Sequence, residues 1–208
     1  MTLPSLSRSD KKRCLRILLA AFVLVIVAAL ARNNPRLSGV EGQLTLWIYN
    51  WPIFLYWPMT LITQLGSAWF ALLVVIFLAL IHKYRLGIRL LLATGLAYLL
   101  AELLKIAVHR PRPFLSIHGI VSRESLTHSY GFPSGHTAVI TTLVFTLWPY
   151  LKAPYRYLAV ALLLLVPLSR LYLGVHSPLD VAGGFCVGII AATSIQFIKR
   201  ILPKIKTN

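Results

Sequence analysis

The chain has 208 residues, of which 58% are hydrophobic, and a mean hydropathy of +0.76, a composition typical of a membrane protein rather than a soluble domain. Its formal net charge of +16 comes from 21 Lys and Arg against five acids, but many of these cations flank apolar runs, so nucleic acid is not the expected partner. The two cysteines, Cys14 and Cys186, exclude a disulfide framework and a CxxC metal site.

Six apolar segments approach the length that a helix needs to cross a bilayer. They are residues 14–31, 61–81, 87–107, 137–151, 157–173 and 179–198. The fourth is the shortest, and Pro149 and Pro167 lie where they can end or bend the fourth and fifth. The sequence therefore predicts an all-α, polytopic membrane protein with about six transmembrane helices.

Basic residues mark one side of this predicted bundle. With six spans, the N-terminus, the links after spans two and four, and the C-terminus share a face, which carries Arg8, Lys11, Lys12, Arg13, Arg16, Lys83, Arg85, Arg89, Lys152, Arg156, Lys199, Arg200, Lys204 and Lys206. The positive-inside rule makes this face cytoplasmic, so segments 32–60, 108–136 and 170–178 lie on the opposite one. A cleaved signal peptide is the alternative for the N-terminus, but its long basic stretch favours an uncleaved first span.

Segment 32–60 is dense in aromatic side chains. They are Trp47, Tyr49, Trp51, Phe54, Tyr56 and Trp57. Such residues favour the headgroup level of a bilayer, so we expect a helix in the interface that anchors the protein. Gathering of a lipid substrate is the alternative role for this segment.

Polar residues gather on the outer face, at the ends of spans three to six. They are Glu102, Lys105, Arg110, Arg112, Ser134, His136, Ser169, Arg170, His176 and Asp180. Ionisable groups at membrane depth cost about 2.5–3.5 kcal/mol each, so by default they mark a functional site. Singly, the cations can reach headgroups and Asp180 can cap a helix, but their convergence favours binding of a tetrahedral anion such as phosphate.

Two stretches carry the chemistry of this predicted site. In the first, residues 133–136, a helix N-terminus offers N–H groups, Ser134 a hydroxyl, and Gly135 a close approach of the backbone. In the second, His176 and Asp180 are four residues apart, which on a helix would let the carboxylate orient the imidazole as a nucleophile. Metal catalysis is the rival hypothesis, but the surplus of cations would repel a divalent ion, so we expect no metal.

Three short motifs among these residues resemble, in order and spacing, the signature of the type 2 phosphatidic acid phosphatase (PAP2) superfamily. They are Lys105 with Arg112-Pro113 after six intervening residues, Pro133-Ser134-Gly135-His136, and Ser169-Arg170 followed by His176 and Asp180. The resemblance covers about residues 60–198, which we take as the motif-bearing core of a single integral-membrane domain, 1–208.

The resemblance implies metal-independent hydrolysis of a lipid phosphate through a phosphohistidine, without a cofactor. His176 would attack phosphorus, Asp180 would orient and stabilise its imidazolium, and His136 would protonate the leaving oxygen and then activate water. The phosphoryl oxygens would be held by Lys105, Arg112, Ser134, Gly135 and Arg170. Arg110 lies outside the pattern and is interpreted as an accessory contact.

Bacterial members of the family suggest a phosphatase of the inner membrane with its site facing the periplasm or exterior, and undecaprenyl pyrophosphate as the expected substrate. The alternatives are phosphatidylglycerophosphate, phosphatidic acid or lipid A phosphates, or phosphotransfer from a polyprenyl pyrophosphate to another lipid. A non-catalytic lipid-binding or transport protein is the alternative of another class, but binding alone requires no nucleophile.

Loop 114–130, with His118, Arg123, Glu124 and His128, is expected to lie over the site.

Overall fold

A computed structural model of the chain describes residues 8–34, 39–124 and 130–201. Over these ranges the chain is helical, and it contains no strand. The α-helices are α1 (Arg8–Asn33), α2 (Gly39–Tyr49), α3 (Tyr56–Gln64), α4 (Ala68–Leu80), α5 (Tyr84–Val108), α6 (Pro113–Ser116), α7 (Gly135–Leu147), α8 (Ala153–Tyr172) and α9 (Pro178–Ile201). The predicted all-α class is confirmed.

Four of the described helices are long and apolar enough to cross a membrane, namely α1, α5, α8 and α9. A fifth span results if α4 and the helical segment before it, Ile53–Gln64, are counted together despite a 49° bend between them. Helix α7 has 13 residues, which gives a length of about 20 Å against a hydrocarbon core of about 30 Å. The predicted count of six spans is therefore not confirmed.

The break in predicted span 61–81 has a packing cause. Gly66 lies in the break, and a Cβ on this residue would stand 2.6 Å from Val166 Cγ1 and 2.9 Å from the backbone oxygen of His136. Ser67 then caps α4 by accepting a hydrogen bond from the Phe70 N–H at 3.1 Å. The chain thus bends where it touches α8 and the start of α7.

Helix α7 is short but central. Nine of its 13 residues are buried, and it packs against α5, α8 and α9, so its length does not have to match the lipid. Glycines on α9 allow this close approach, because a Cβ at Gly184 or Gly188 would lie 2.6 Å from Ser134 O and 2.5 Å from Thr141 Cβ, respectively.

The outward faces of the bundle are apolar. Large side chains such as Phe22, Trp69, Leu99 and Leu164 are exposed on α1, α4, α5 and α8, as expected for a surface in contact with lipid chains. With the long apolar helices, this surface makes the chain a multi-pass membrane protein. Pro167 lies inside α8 without ending it, and Pro149 lies in a 3₁₀ turn, Trp148–Tyr150, after α7.

Four helix ends meet at one end of the bundle. Backbone hydrogen bonds join them: Ser134 N–H donates to Asp180 O at 2.9 Å, and Gly131 N–H donates to Arg110 O at 2.7 Å. The chain leaves α5 through His109, whose left-handed conformation (φ 54°) ends the helix before Arg110-Pro111-Arg112-Pro113. The C-termini of α5 and α8 and the N-termini of α7 and α9 therefore surround one site.

Candidate active site

The N-terminus of α7 forms one wall of the site. Ser134 is its N-cap: the hydroxyl oxygen accepts from the Thr137 hydroxyl at 3.0 Å and more weakly from the Thr137 N–H at 3.4 Å. The hydroxyl hydrogen of Ser134 thus stays available as a donor. A Cβ on Gly135 would meet no atom within 4 Å, so there is open space beside the first turn of α7, where its N–H groups can receive an anion.

His176 and Asp180 form the second wall, in the loop before α9 and in its first turn. His176 Nδ1 lies 3.7 Å from Asp180 Oδ2, with both side chains buried. This is an electrostatic contact and is longer than a hydrogen bond. His176 precedes α9, so the two residues do not lie on one helix as their spacing suggests; the turn through Ser177 and Pro178 brings them together instead.

Asp180 caps α9 while it faces His176. Its Oδ2 accepts from the Ser177 N–H at 2.8 Å, as the third residue of a helix does in a capping box. Burial lowers the pKa of His176 to about 4. The charges of Arg112 and Arg170 also lower this pKa, whereas Asp180 raises it. The imidazole is therefore neutral at physiological pH, which a nitrogen nucleophile requires.

The predicted cations converge on the two histidines. His136 is within electrostatic range of Lys105, Arg112, Arg170 and His176. Arg112 and Arg170 are buried, and Arg112 donates to the carbonyl of Val175, the residue before His176, at 3.4 Å. The structure thus brings all of the predicted site residues to one end of the bundle.

Comparisons with known proteins identify the family of the chain. The PAP2 superfamily matches residues 86–202. The chain belongs to the PAP2 superfamily. The predicted assignment as an enzyme, a phosphatase of this superfamily acting on lipid, is thereby confirmed.

Two relatives and one solved structure are similar over most of the chain. Phosphatidylglycerophosphatase B of Bacillus subtilis is 33% identical over 81% of this chain and 87% of its own. Undecaprenyl-diphosphatase of Sulfolobus acidocaldarius is 28% identical over 86% and 89%. The crystal structure of a transmembrane PAP2 type phosphatidylglycerolphosphate phosphatase from Bacillus subtilis superimposes with a TM-score of 0.75 at 26% identity, covering 92% of this chain and 99% of that one.

Beyond the PAP2 motifs, Arg110 has a larger role than an accessory contact. Its side chain is fully buried and donates five hydrogen bonds: to both Glu41 carboxylate oxygens, to Asp180 Oδ1, to Ser177 Oγ and to Asn34 O. Glu41 also accepts from the Leu179 N–H at 3.1 Å. The guanidinium therefore ties the first turn of α9, and with it Asp180, to α2 from the aromatic segment.

Glutamates also contact two of the PAP2 signature cations. Glu124 Oε1 and Oε2 accept from the two terminal nitrogens of Arg170 at 2.8 and 2.7 Å, and Thr63 Oγ1 accepts from the same guanidinium at 2.8 Å. Glu102 Oε1 lies 2.7 Å from Lys105 Nζ on the same helix. No motif in the sequence predicts a contact for Thr63 or Glu41, and Glu124 is predicted only as part of loop 114–130 over the site.

Loop 114–130 lies against the site as far as it is described. Arg123 stacks on the rings of Tyr49 and Tyr172, at 4.0 and 4.4 Å from their centroids, and donates to Tyr172 O. His118 is exposed, and His128 lies outside the described residues. A cavity of about 580 Å³ borders the loop, lined by Ile53, Tyr56, Trp57, Ser122, Arg123 and Glu124.

The donor set of the described site is poor in metal ligands. Across residues 8–34, 39–124 and 130–201, no group of three or more His, Cys, Asp or Glu side chains could hold a metal ion. Each carboxylate at the site is instead paired with a guanidinium or an ammonium group.

Proposed function

We propose that the chain removes phosphate from a membrane lipid through a covalent phosphohistidine on His176. The observation that carries the proposal is the buried, neutral His176 facing an Asp180 that Arg110 and the Ser177 N–H fix in place. With its proton on Nδ1, toward Asp180, the imidazole would present Nε2 as the nucleophile. The solved PAP2 relative supports the fold in which this pair is built.

Two displacements at phosphorus complete the reaction. Nε2 of His176 attacks phosphorus, the bond from phosphorus to the lipid-side oxygen breaks, and that oxygen takes a proton from His136. Water then attacks the phosphohistidine as His136 removes its proton, the N–P bond breaks and inorganic phosphate leaves. Lys105, Arg112, Arg170, the Ser134 hydroxyl and the Gly135 N–H stabilise the charge on the phosphoryl oxygens.

We propose undecaprenyl pyrophosphate as the substrate and phosphatidylglycerophosphate as the second candidate. One relative is named for each activity. The cation-rich links of the chain, around Lys83 and Lys152, lie at the bundle end opposite the site. By the positive-inside rule the site would then face the periplasm or exterior of an inner membrane, where it would meet lipids of the outer leaflet.

We also propose that residues 1–208 form a single membrane domain. Helix α1, which precedes the matched PAP2 region, packs along α9, and Asn34 at its end accepts from Arg110. The N-terminal span thus contributes to the structure that holds the site.

Phosphate release by the purified protein in detergent, with EDTA present, tests the proposal across undecaprenyl pyrophosphate, phosphatidylglycerophosphate, phosphatidic acid and a lipid A phosphate. We expect release that survives EDTA, is abolished in His176→Ala and is retained in His82→Ala. His82 is an exposed histidine in the α4–α5 link, at the other end of the bundle. Release that persists in His176→Ala would refute the phosphohistidine. Release only with an added acceptor lipid would favour phosphotransfer.

A further inference from the structure

The pairing of Arg170 with Glu124 suggests a function for a residue outside the PAP2 motifs. Both terminal nitrogens of Arg170 donate to one carboxylate, at 2.8 and 2.7 Å, across 46 residues of sequence. Forked, charge-assisted pairs of this kind are among the strongest that a guanidinium makes, and phosphate is bound by the same fork. Glu124 therefore occupies the donors that a phosphoryl group would use.

Arg170 keeps only one other fork, formed by Nε and one terminal nitrogen, and the Nε of that fork is buried. One terminal nitrogen also donates to Thr63 Oγ1 at 2.8 Å. The Nε atom is buried and has no hydrogen-bond partner among the described residues. A phosphoryl group would gain the two-pronged geometry of the terminal nitrogens only after the carboxylate moves away.

Glu124 has both the charge and the space to exchange with a phosphoryl group on Arg170. Burial alone would raise its pKa, but the hydrogen bonds and charge of Arg170 outweigh burial and lower the pKa below its ordinary value, so the carboxylate is ionised at neutral pH. Its side chain is 23% exposed and lines the 580 Å³ cavity beside Trp57. Rotation of the side chain toward this cavity would free Arg170.

The other glutamate at the site is a different kind of partner. Glu102 and Lys105 are three residues apart on α5, and the Glu102 side chain is 39% exposed. Helical pairs of this type contribute little to stability, and solvent screens the charge of an exposed carboxylate. Glu102 therefore provides a matched control in which the same charge is removed near the same site.

We propose that Glu124 is an internal anion that binds Arg170 in the empty site, is displaced by the phosphoryl group of the substrate, and returns to expel inorganic phosphate after hydrolysis. The inference rests on the proposed function, because it takes Arg170 as a phosphoryl ligand. In effect, Glu124 lowers the affinity of the site for phosphate and limits inhibition by the product.

Glu124→Gln tests this proposal, because it keeps the size of the side chain and removes its charge. We expect the inhibition constant of inorganic phosphate to fall at least tenfold, which corresponds to about 1.4 kcal/mol of binding. In Glu102→Gln we expect a change of less than threefold. An unchanged inhibition constant in Glu124→Gln, or an equal fall in both variants, would overturn the proposal.

A binding measurement separates this inference from the proposed function. Thermal unfolding in detergent, with inorganic phosphate as the titrant, reports affinity without turnover. Glu124→Gln and Glu124→Ala should unfold at a lower temperature than the wild type without phosphate, because Arg170 loses its carboxylate, and should be half-stabilised at a tenfold lower phosphate concentration. Equal half-stabilising phosphate concentrations in the wild type and both variants would refute the inference. Phosphate release that persists in His176→Ala would refute only the proposed function.

Discussion

Replacement of Arg110 by lysine separates positioning of Asp180 from binding of substrate. The guanidinium makes five hydrogen bonds, two of them to Glu41 and one to Asp180. A lysine ammonium has three N–H donors and no fork, so at least two bonds are lost. At about 1.5–3 kcal/mol for each hydrogen bond to a charged group, the loss before relaxation is about 3–6 kcal/mol.

We expect about half of this loss, about 1.5–3 kcal/mol, to appear as reduced stability after the structure relaxes. The larger effect should be on turnover, because Asp180 loses the contact that holds its Oδ1. A misplacement of about 1 Å at a reacting group costs up to about a hundredfold in rate. Arg110→Lys should therefore lower kcat about 10- to 100-fold and leave KM within about threefold.

The assay is phosphate release against substrate concentration, at a temperature below the unfolding transition of the variant. Arg89→Lys is the control: its guanidinium donates to the Tyr150 hydroxyl at 2.8 Å, at the opposite end of the bundle. A raised KM with unchanged kcat in Arg110→Lys would mean that Arg110 binds substrate directly and does not act by positioning Asp180.

Two further predictions concern pH and packing. Because the pKa of His176 is about 4, its active neutral form is lost only as pH falls through about 4. The acidic limb of the pH profile of kcat/KM that belongs to the nucleophile should therefore lie near pH 4, and a nucleophile limb near pH 6.5 would contradict this. Gly184→Ala places a Cβ 2.6 Å from Ser134 O and should lower stability by about 1–3 kcal/mol. Gly95→Ala meets no atom within 4 Å and should not destabilise; equal unfolding temperatures in detergent would contradict the packing argument.

The long helices could be predicted closely from the sequence because each contains an apolar run of membrane length. Predicted spans 87–107 and 179–198 correspond to α5 (Tyr84–Val108) and α9 (Pro178–Ile201). The break in span 61–81 could not be predicted in this way, since it depends on contacts of Gly66 with α7 and α8 that have no periodic signal.

The site could be predicted as a set of residues but not as a network. Motif spacing and topology predict which cations and histidines converge, whereas the acid that pairs with each cation is fixed by tertiary contacts across 46 or 69 residues. The composition does indicate which residues can pair with the site cations. With five acids against 21 cations, any acid in an apolar segment is a candidate partner, and Glu41 in the aromatic segment fits this description.

The four site acids have a consequence for how substrate arrives. Glu41, Glu102, Glu124 and Asp180 all lie within ion-pair distance of site cations, so each offsets part of the positive potential that these cations would otherwise project into water. Electrostatic steering of soluble anions depends on such a projected potential. A shielded site gives little advantage to phosphates dissolved outside the membrane, and it favours a substrate that reaches it by lateral diffusion within the bilayer.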